Sequence, residues 1–104
     1  MVNLSEFPNV KLIKFPELDE VDLALVSKAL THFFKKVGSD SELQLALKEY
    51  KKGGLRAQHE VHARFTINGK SFFAEYVDWQ LLETIQNVLK KIEREISKEN
   101  NKEE

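Results

Sequence analysis

The chain has 104 residues, which suits one domain with a single modest core that needs no metal or disulfide to hold it. It has no cysteine, so a disulfide framework and a thiolate metal site are both excluded. Charged residues make up 32% of the chain, yet the formal net charge is only −1, which argues against a surface coated in positive charge.

The first third of the chain predicts a strand followed by a helix. Residues 9–15 (NVKLIKF) predict a short strand, which Pro16 ends because its ring cannot donate to a sheet. Asp19 stands where a helix N-cap is expected, and Gly38 stands where the helix should end. Between them, apolar residues recur at helical spacing. This stripe comprises Leu23, Val26, Leu30, Phe33 and Val37.

The middle of the chain predicts strands with one buried face. Residues 42–50 (ELQLALKEY) place leucine at every second position, which is the period of a strand. Residues 56–67 alternate more cleanly still, with apolar side chains and His59 at the odd positions and polar ones at the even positions. Such a division indicates that one side of the sheet contacts the core and the other faces water.

Asn68-Gly69 is the strongest hairpin signal in the sequence, because both central positions of a type I′ turn need a positive φ. A two-residue loop also fixes the register of the strands on either side. The predicted pairs are Ile67–Lys70, Phe65–Phe72, Ala63–Ala74 and Val61–Tyr76 on the inner face, and Thr66–Ser71, Arg64–Phe73 and His62–Glu75 on the outer face.

A second amphipathic helix is predicted after the hairpin, with Asp78 as its cap. Its stripe of predicted core residues comprises Trp79, Leu82, Ile85, Leu89, Ile92 and Ile96. Residues 98–104 are all polar and predict a disordered tail, so the domain is expected to span residues 1–97.

The predicted fold is therefore α+β, in the order β-α-β-β-β-α. Two helices pack on one face of a four-stranded, mostly antiparallel sheet. The double-stranded RNA-binding domain has a similar order, but it normally clamps phosphate with lysines at the start of its last helix. This chain has Asp78-Trp79-Gln80 there, so that version of RNA binding is the weaker one.

Three short motifs follow one another in the second half of the chain: Asn68-Gly69-Lys70, Ala74-Glu75 and Lys91-Ile92-Glu93-Arg94-Glu95. With the β-α start, they resemble the short form of the ribosome hibernation-promoting factor family, also called protein Y or ribosome-associated inhibitor A. The resemblance covers nearly the whole chain and extends to the order of its elements.

The resemblance implies a non-catalytic protein without a cofactor, which docks on the small ribosomal subunit and blocks translation during starvation. Members of the family contact ribosomal RNA mainly through basic side chains. By matching position, the resemblance implies that RNA is contacted by Lys35, Lys36, Lys90, Lys91 and Arg94.

The segment from residue 48 to residue 70 carries six basic side chains against two acidic ones. Lys51, Lys52, Arg56 and Arg64 could therefore form a second patch that neutralises RNA phosphates. The alternative is that these lysines keep a sheet edge from pairing with another chain.

Arg64 and Phe73 share the outer face of the predicted hairpin. An exposed aromatic ring beside a guanidinium could stack on a base of structured RNA. The same side chains, with His62 and Glu75, could instead form a protein interface that dimerises the chain. Both interpretations stay open at the level of sequence.

Catalytic and metal sites have little support. His59 and His62 are three residues apart on one strand, so they point to opposite faces and cannot share an ion. His62 opposite Glu75 lacks a nucleophile and oxyanion donors, which argues against an enzyme. The N-terminus shows no secretory signal, and no apolar run could span a membrane. We therefore expect a cytoplasmic protein with no membrane contact and no metal.

Overall fold

The computed structural model describes residues 7–38, 40–51 and 57–102. Within these ranges the elements follow the predicted β-α-β-β-β-α order, so the α+β class is confirmed. The elements are β1 (Val10–Ile13), α1 (Glu20–Val37), β2 (Glu42–Lys51), β3 (Ala57–Ile67), β4 (Lys70–Asp78) and α2 (Leu81–Lys102).

The four strands form one sheet in the order β1-β2-β3-β4. β1 runs parallel to β2, and the other two pairings are antiparallel, so the predicted mostly antiparallel sheet is confirmed. Asn68 and Gly69 have φ values of 52° and 76°, as a type I′ turn requires. All seven predicted pairs between β3 and β4 are present, because this turn leaves the two strands only one register.

The core lies between one face of the sheet and the two helices. Phe33 of α1 meets Phe65 of β3 edge to face, with ring centroids 5.2 Å apart, and both rings are fully buried. Most of the predicted stripe of α1 is in this core. The buried apolar residues are Val26, Leu30, Phe33, Phe34, Leu43, Leu45, Leu47, Val61, Ala63, Phe65, Ile85, Val88, Leu89 and Ile92.

The caps of α1 follow the sequence. The Asp19 carboxylate accepts a hydrogen bond from the backbone N–H of Asp22 at 2.8 Å, which confirms the predicted N-cap. At the other end Gly38 has a φ of 99°, and its N–H donates to the Phe34 carbonyl at 2.8 Å. A residue with a side chain would be strained in that conformation.

The start of α2 corrects the prediction. Asp78 is the last residue of β4 and pairs with His59, so it does not cap the helix. Its carboxylate accepts from the N–H of Trp79 at 2.6 Å, and the first helical N–H to reach back is that of Thr84, to the Gln80 carbonyl. Trp79 was predicted to be in the core but is 40% exposed, and it lies between the end of β4 and the start of α2.

The end of α2 also lies beyond the predicted domain boundary at residue 97. Residues 98–102, which were assigned to the tail, continue the helix. Lysine and glutamate are good helix formers, and Lys98 Nζ lies 3.9 Å from Glu95 Oε1 one turn earlier. Glu99 Oε1 also accepts from Lys70 Nζ of β4 at 3.2 Å. Neither helix in the described ranges carries an apolar stretch that could span a bilayer.

Candidate nucleic-acid interface

Basic side chains line a shallow groove between the C-terminal halves of α1 and α2. Lys36 comes from the last turn of α1. Lys90, Arg94 and Lys98 recur every fourth residue along α2, a spacing that puts them on one side of the helix. We call this surface the helical basic groove, and its lining residues are Lys36, Lys90, Glu93, Arg94, Ser97 and Lys98.

The charge in the groove is strongly positive but partly compensated. Four cationic side chains face one carboxylate, that of Glu93. Glu93 Oε1 lies 3.4 Å from Lys36 Nζ and so ties α2 to the end of α1. Because the Lys36 side chain is largely exposed, this ion pair contributes little to stability. A phosphate could replace the carboxylate at Lys36 at small cost.

The space between the helices continues past His32 and Gln86, which share its lining with Lys36, Lys90 and Glu93. From the sequence, His32 was not named as a site residue and Lys98 was placed in the tail, so both residues were missed. The four-residue spacing from Lys90 through Arg94 could have identified Lys98. For His32 no sequence signal was available, because the rotation of α1 against α2 decides its position.

The family resemblance implied five helical residues as RNA contacts, and three of them lie together in the structure. Lys36, Lys90 and Arg94 line the helical basic groove. Lys91 is turned by about 100° from Lys90 around α2. Its Nζ donates to the Glu75 carbonyl at 2.8 Å and lies 5.3 Å from the Tyr76 ring centroid, so this side chain covers the edge of β4. Lys35 is exposed in the last turn of α1 and is not part of the groove lining.

The two members of the second predicted patch that the structure describes, Lys51 and Arg64, lie far apart on the sheet. Lys52 and Arg56 lie outside the described residues. Lys51 is at the end of β2, whereas Arg64 pairs with Gln44, seven positions earlier on that strand. Seven residues of strand span about 24 Å. Arg64 is also on the sheet face opposite the helices, so it cannot act together with the helical basic groove.

The outer sheet face carries the second candidate surface. Phe73 lies beside Arg64 as predicted, with the guanidinium carbon 5.9 Å from the ring centroid, within range of a cation–π contact. Phe73 is 65% exposed, and the two described helices are on the other side of the sheet. An aromatic ring in this setting is available to a partner.

His62 is flanked by two carboxylates on this face. Its Nδ1 lies 3.3 Å from Glu75 Oε2, and its Nε2 lies 3.4 Å from Glu60 Oε2. Glu60 also accepts a 2.7 Å hydrogen bond from the Tyr50 hydroxyl, which holds the pKa of Glu60 below its ordinary value. The same hydrogen bond raises the pKa of Tyr50. Glu60 was not predicted as a site residue, although strand alternation puts it on the same face as His62.

Glu60, His62 and Glu75 could in principle hold a metal ion, since their ligand atoms lie within 4.8 Å of one another. The two carboxylates, however, approach different nitrogens of the same ring, and one ion can bind only one of them. The arrangement is therefore one imidazole flanked by two carboxylates, which is a poor fit to a metal ion. His59 cannot contribute, because its Nδ1 lies 3.0 Å from the Trp79 carbonyl on the opposite face.

Comparison with known proteins identifies the fold. No family model matches the chain, and no curated protein matches it. Among solved structures, a ribosomal subunit interface protein from Coxiella burnetii is similar with a TM-score of 0.67 and 14% identity, over 88% of this chain and 97% of the other. The N-terminal domain of Protein Y from Thermus thermophilus is similar with a TM-score of 0.58 and 16% identity, over 86% and 93%. At this level of fold, the resemblance predicted from the sequence is confirmed.

Proposed function

We propose that the chain is a non-catalytic, ribosome-associated factor that binds ribosomal RNA phosphates in the helical basic groove. The observation that carries this proposal is the convergence of Lys36, Lys90, Arg94 and Lys98 on one groove between two helices. The fold supports it, because the two similar structures named above carry names that connect them with the ribosome or with protein Y. A cytoplasmic location follows from the same proposal.

The four cations have complementary roles in such a site. The Arg94 guanidinium can donate two parallel hydrogen bonds to one phosphate, whereas each lysine acts as a compact point charge. Each phosphate that is neutralised releases condensed counterions from the RNA, so binding should weaken steeply with salt. A phosphate can compete with Glu93 for the ammonium group of Lys36, because that side chain is largely exposed. The groove therefore binds RNA by exchanging an internal carboxylate for an external phosphate.

On the ribosome, we propose that the small subunit is the partner and that the bound protein hinders translation, as the hibernation-promoting factor family does. This step rests on the family resemblance. It requires no cofactor and no reacting group, because occupation of the RNA surface is sufficient. The outcome would be a reversible block that depends on ionic strength.

The proposal is tested by the salt dependence of binding to a structured ribosomal RNA fragment, measured by fluorescence anisotropy. Arg94→Ala should weaken binding and lower the slope of log affinity against log salt by about 0.7–0.9, the value for one lost phosphate contact. Lys48→Ala is the matched control, since Lys48 is an exposed cation on the other face of the sheet. Equal slopes for the two variants would contradict the proposal.

A second candidate function is protein interaction through the outer sheet face. The specific observation that favours it is the exposure of Phe73 on a face that bears three further half-buried or exposed apolar residues: Ile13, Ala46 and Val77. When a partner covers such apolar groups, their removal from water stabilises the complex.

A further inference from the structure

The outer sheet face has an internal symmetry about the row formed by His62 and Glu75, which are paired across β3 and β4. On β3, Arg64 and Glu60 stand two residues to either side of His62. Side chains two residues apart on a strand point to the same face. An arginine and a glutamate are thus equally far from this central row, in opposite directions.

The neighbouring strand repeats the arrangement with apolar groups. Phe73 and Val77 stand two residues to either side of Glu75 on β4, and both are exposed. A rotation of 180° about an axis along the central row moves Arg64 to the position of Glu60. The same rotation moves Phe73 to the position of Val77.

We propose that this face docks on the same face of a second copy of the chain, with a twofold axis along the central row. In that arrangement Arg64 of one copy faces Glu60 of the other, and Phe73 of one faces Val77 of the other. A contact that uses the same patch on both subunits must be self-complementary in this way. The inference rests on the second candidate function and is independent of RNA binding in the helical basic groove, which lies on the other side of the sheet.

Charge favours a second copy over a polyanion. The basic and acidic side chains on the described outer face are equal in number, so RNA phosphates would meet as much repulsion as attraction. In the proposed arrangement a second copy instead places Arg64 opposite Glu60 at two symmetric positions, while Glu75 lies on the axis and meets its counterpart beside the two His62 rings. The residues concerned are Lys11, Lys48, Arg64, Glu42, Glu60 and Glu75.

The area of the outer face determines the expected affinity of the dimer. Along the rows from Glu42 to Tyr50, β2, β3 and β4 extend about 27 Å and are together about 14 Å wide, and β1 adds only four residues. The flat contact is then about 450 Å² on each copy, or about 900 Å² in total, which is below the range of stable specific interfaces and typical of weak, transient ones. The dimer should therefore be reversible and depend on protein concentration.

Sedimentation equilibrium over the micromolar range is the first test. The wild-type chain should shift from monomer to dimer, and Phe73→Glu should raise the dissociation constant by about tenfold or more, since it buries an unpaired charge opposite Val77 within the contact. Val21→Glu is the matched control, because Val21 is exposed to nearly the same extent (67% against 65%) but lies on α1. This control should sediment like the wild type.

Exchanging the charges at positions 60 and 64 tests the proposed alignment of the two copies. Arg64→Glu alone brings two carboxylates together across the contact, and Glu60→Arg alone brings two guanidinium groups together, so each variant should be monomeric. An equimolar mixture of the two variants should dimerise again, because both of these positions in the mixed dimer then pair opposite charges. Restoration in the mixture supports the twofold arrangement.

Three results would overturn the inference: a wild-type chain that stays monomeric throughout the range, a dimer that Phe73→Glu leaves intact, or a mixture that remains monomeric. RNA binding measured on the same proteins separates this failure from failure of the groove. Phe73→Glu should retain the RNA affinity of the wild type. If it loses RNA affinity while the wild type is monomeric, the face binds RNA and not a second copy.

Discussion

Glu93 is expected to limit the affinity of the helical basic groove for RNA, since it is the single carboxylate among the described lining residues. It holds Lys36 at 3.4 Å and repels any incoming phosphate. We expect Glu93→Gln to raise RNA affinity by roughly fivefold, which corresponds to about 1 kcal/mol for one charge at close range in water. Fluorescence anisotropy at low salt would measure the change.

The control for this prediction is Glu83→Gln, which makes the same change of charge in the first turn of α2, away from the groove. It should alter the affinity much less, because exposed charges beyond about 10 Å are screened at ordinary ionic strength. Equal gains in the two variants would show that only the net charge of the chain matters.

The hydrogen bond between Tyr50 and Glu60 gives a prediction for how the stability of the fold depends on pH. Since the Tyr50 hydroxyl lowers the pKa of Glu60, Tyr50→Phe should raise that pKa toward its ordinary value. A lowered carboxyl pKa stabilises the fold above the unfolded-state pKa, and this contribution is lost as the pH falls through the folded-state value. The variant should therefore lose less stability on acidification than the wild type. An NMR titration of the Glu60 carboxyl carbon checks the shift, and an unchanged pKa would contradict it.

At the scale of elements, the hairpin was predictable because its signals are local. Asn68-Gly69 sets the turn, and strand alternation then assigns every side chain of β3 and β4 to a face. The start of α2 was not predictable in this way. Asp78 has the chemistry of a cap, but its pairing with His59 in the sheet decides its position. Tertiary contacts overrode a local preference there.

Phe65 tests the contact between the sheet and α1. It is fully buried against Phe33, so Phe65→Ala should lower the free energy of unfolding by about 3–5 kcal/mol through lost transfer energy and a new cavity. Urea unfolding followed by far-UV circular dichroism measures this. Phe73→Ala, on the exposed face, should change stability by less than about 0.5 kcal/mol. Similar losses at both positions would be inconsistent with the described core.

At the scale of the whole molecule, the sheet separates two surfaces. The helical basic groove lies on one side, and the face around Phe73 lies on the other. The sequence named part of each surface, including Lys36, Lys90 and Arg94 of the groove and Arg64 and Phe73 of the outer face. Strand alternation had already assigned Arg64 to the outer face, but the sequence could not show that Lys91 turns away toward β4. That depends on how α2 is rotated against the sheet, which no local pattern encodes.

The central claim is that the chain binds the ribosome through the helical basic groove, and co-sedimentation with purified small ribosomal subunits tests it most directly. The account predicts that the wild-type chain pellets with the subunits at low salt and less at moderate salt. A Lys36→Ala, Lys90→Ala, Arg94→Ala variant should stay in the supernatant. A Lys11→Ala, Lys48→Ala, Lys51→Ala variant, with the same loss of charge outside the groove, should still pellet. Absence of wild-type binding at both salt concentrations, or equal binding by the two variants, would contradict the claim.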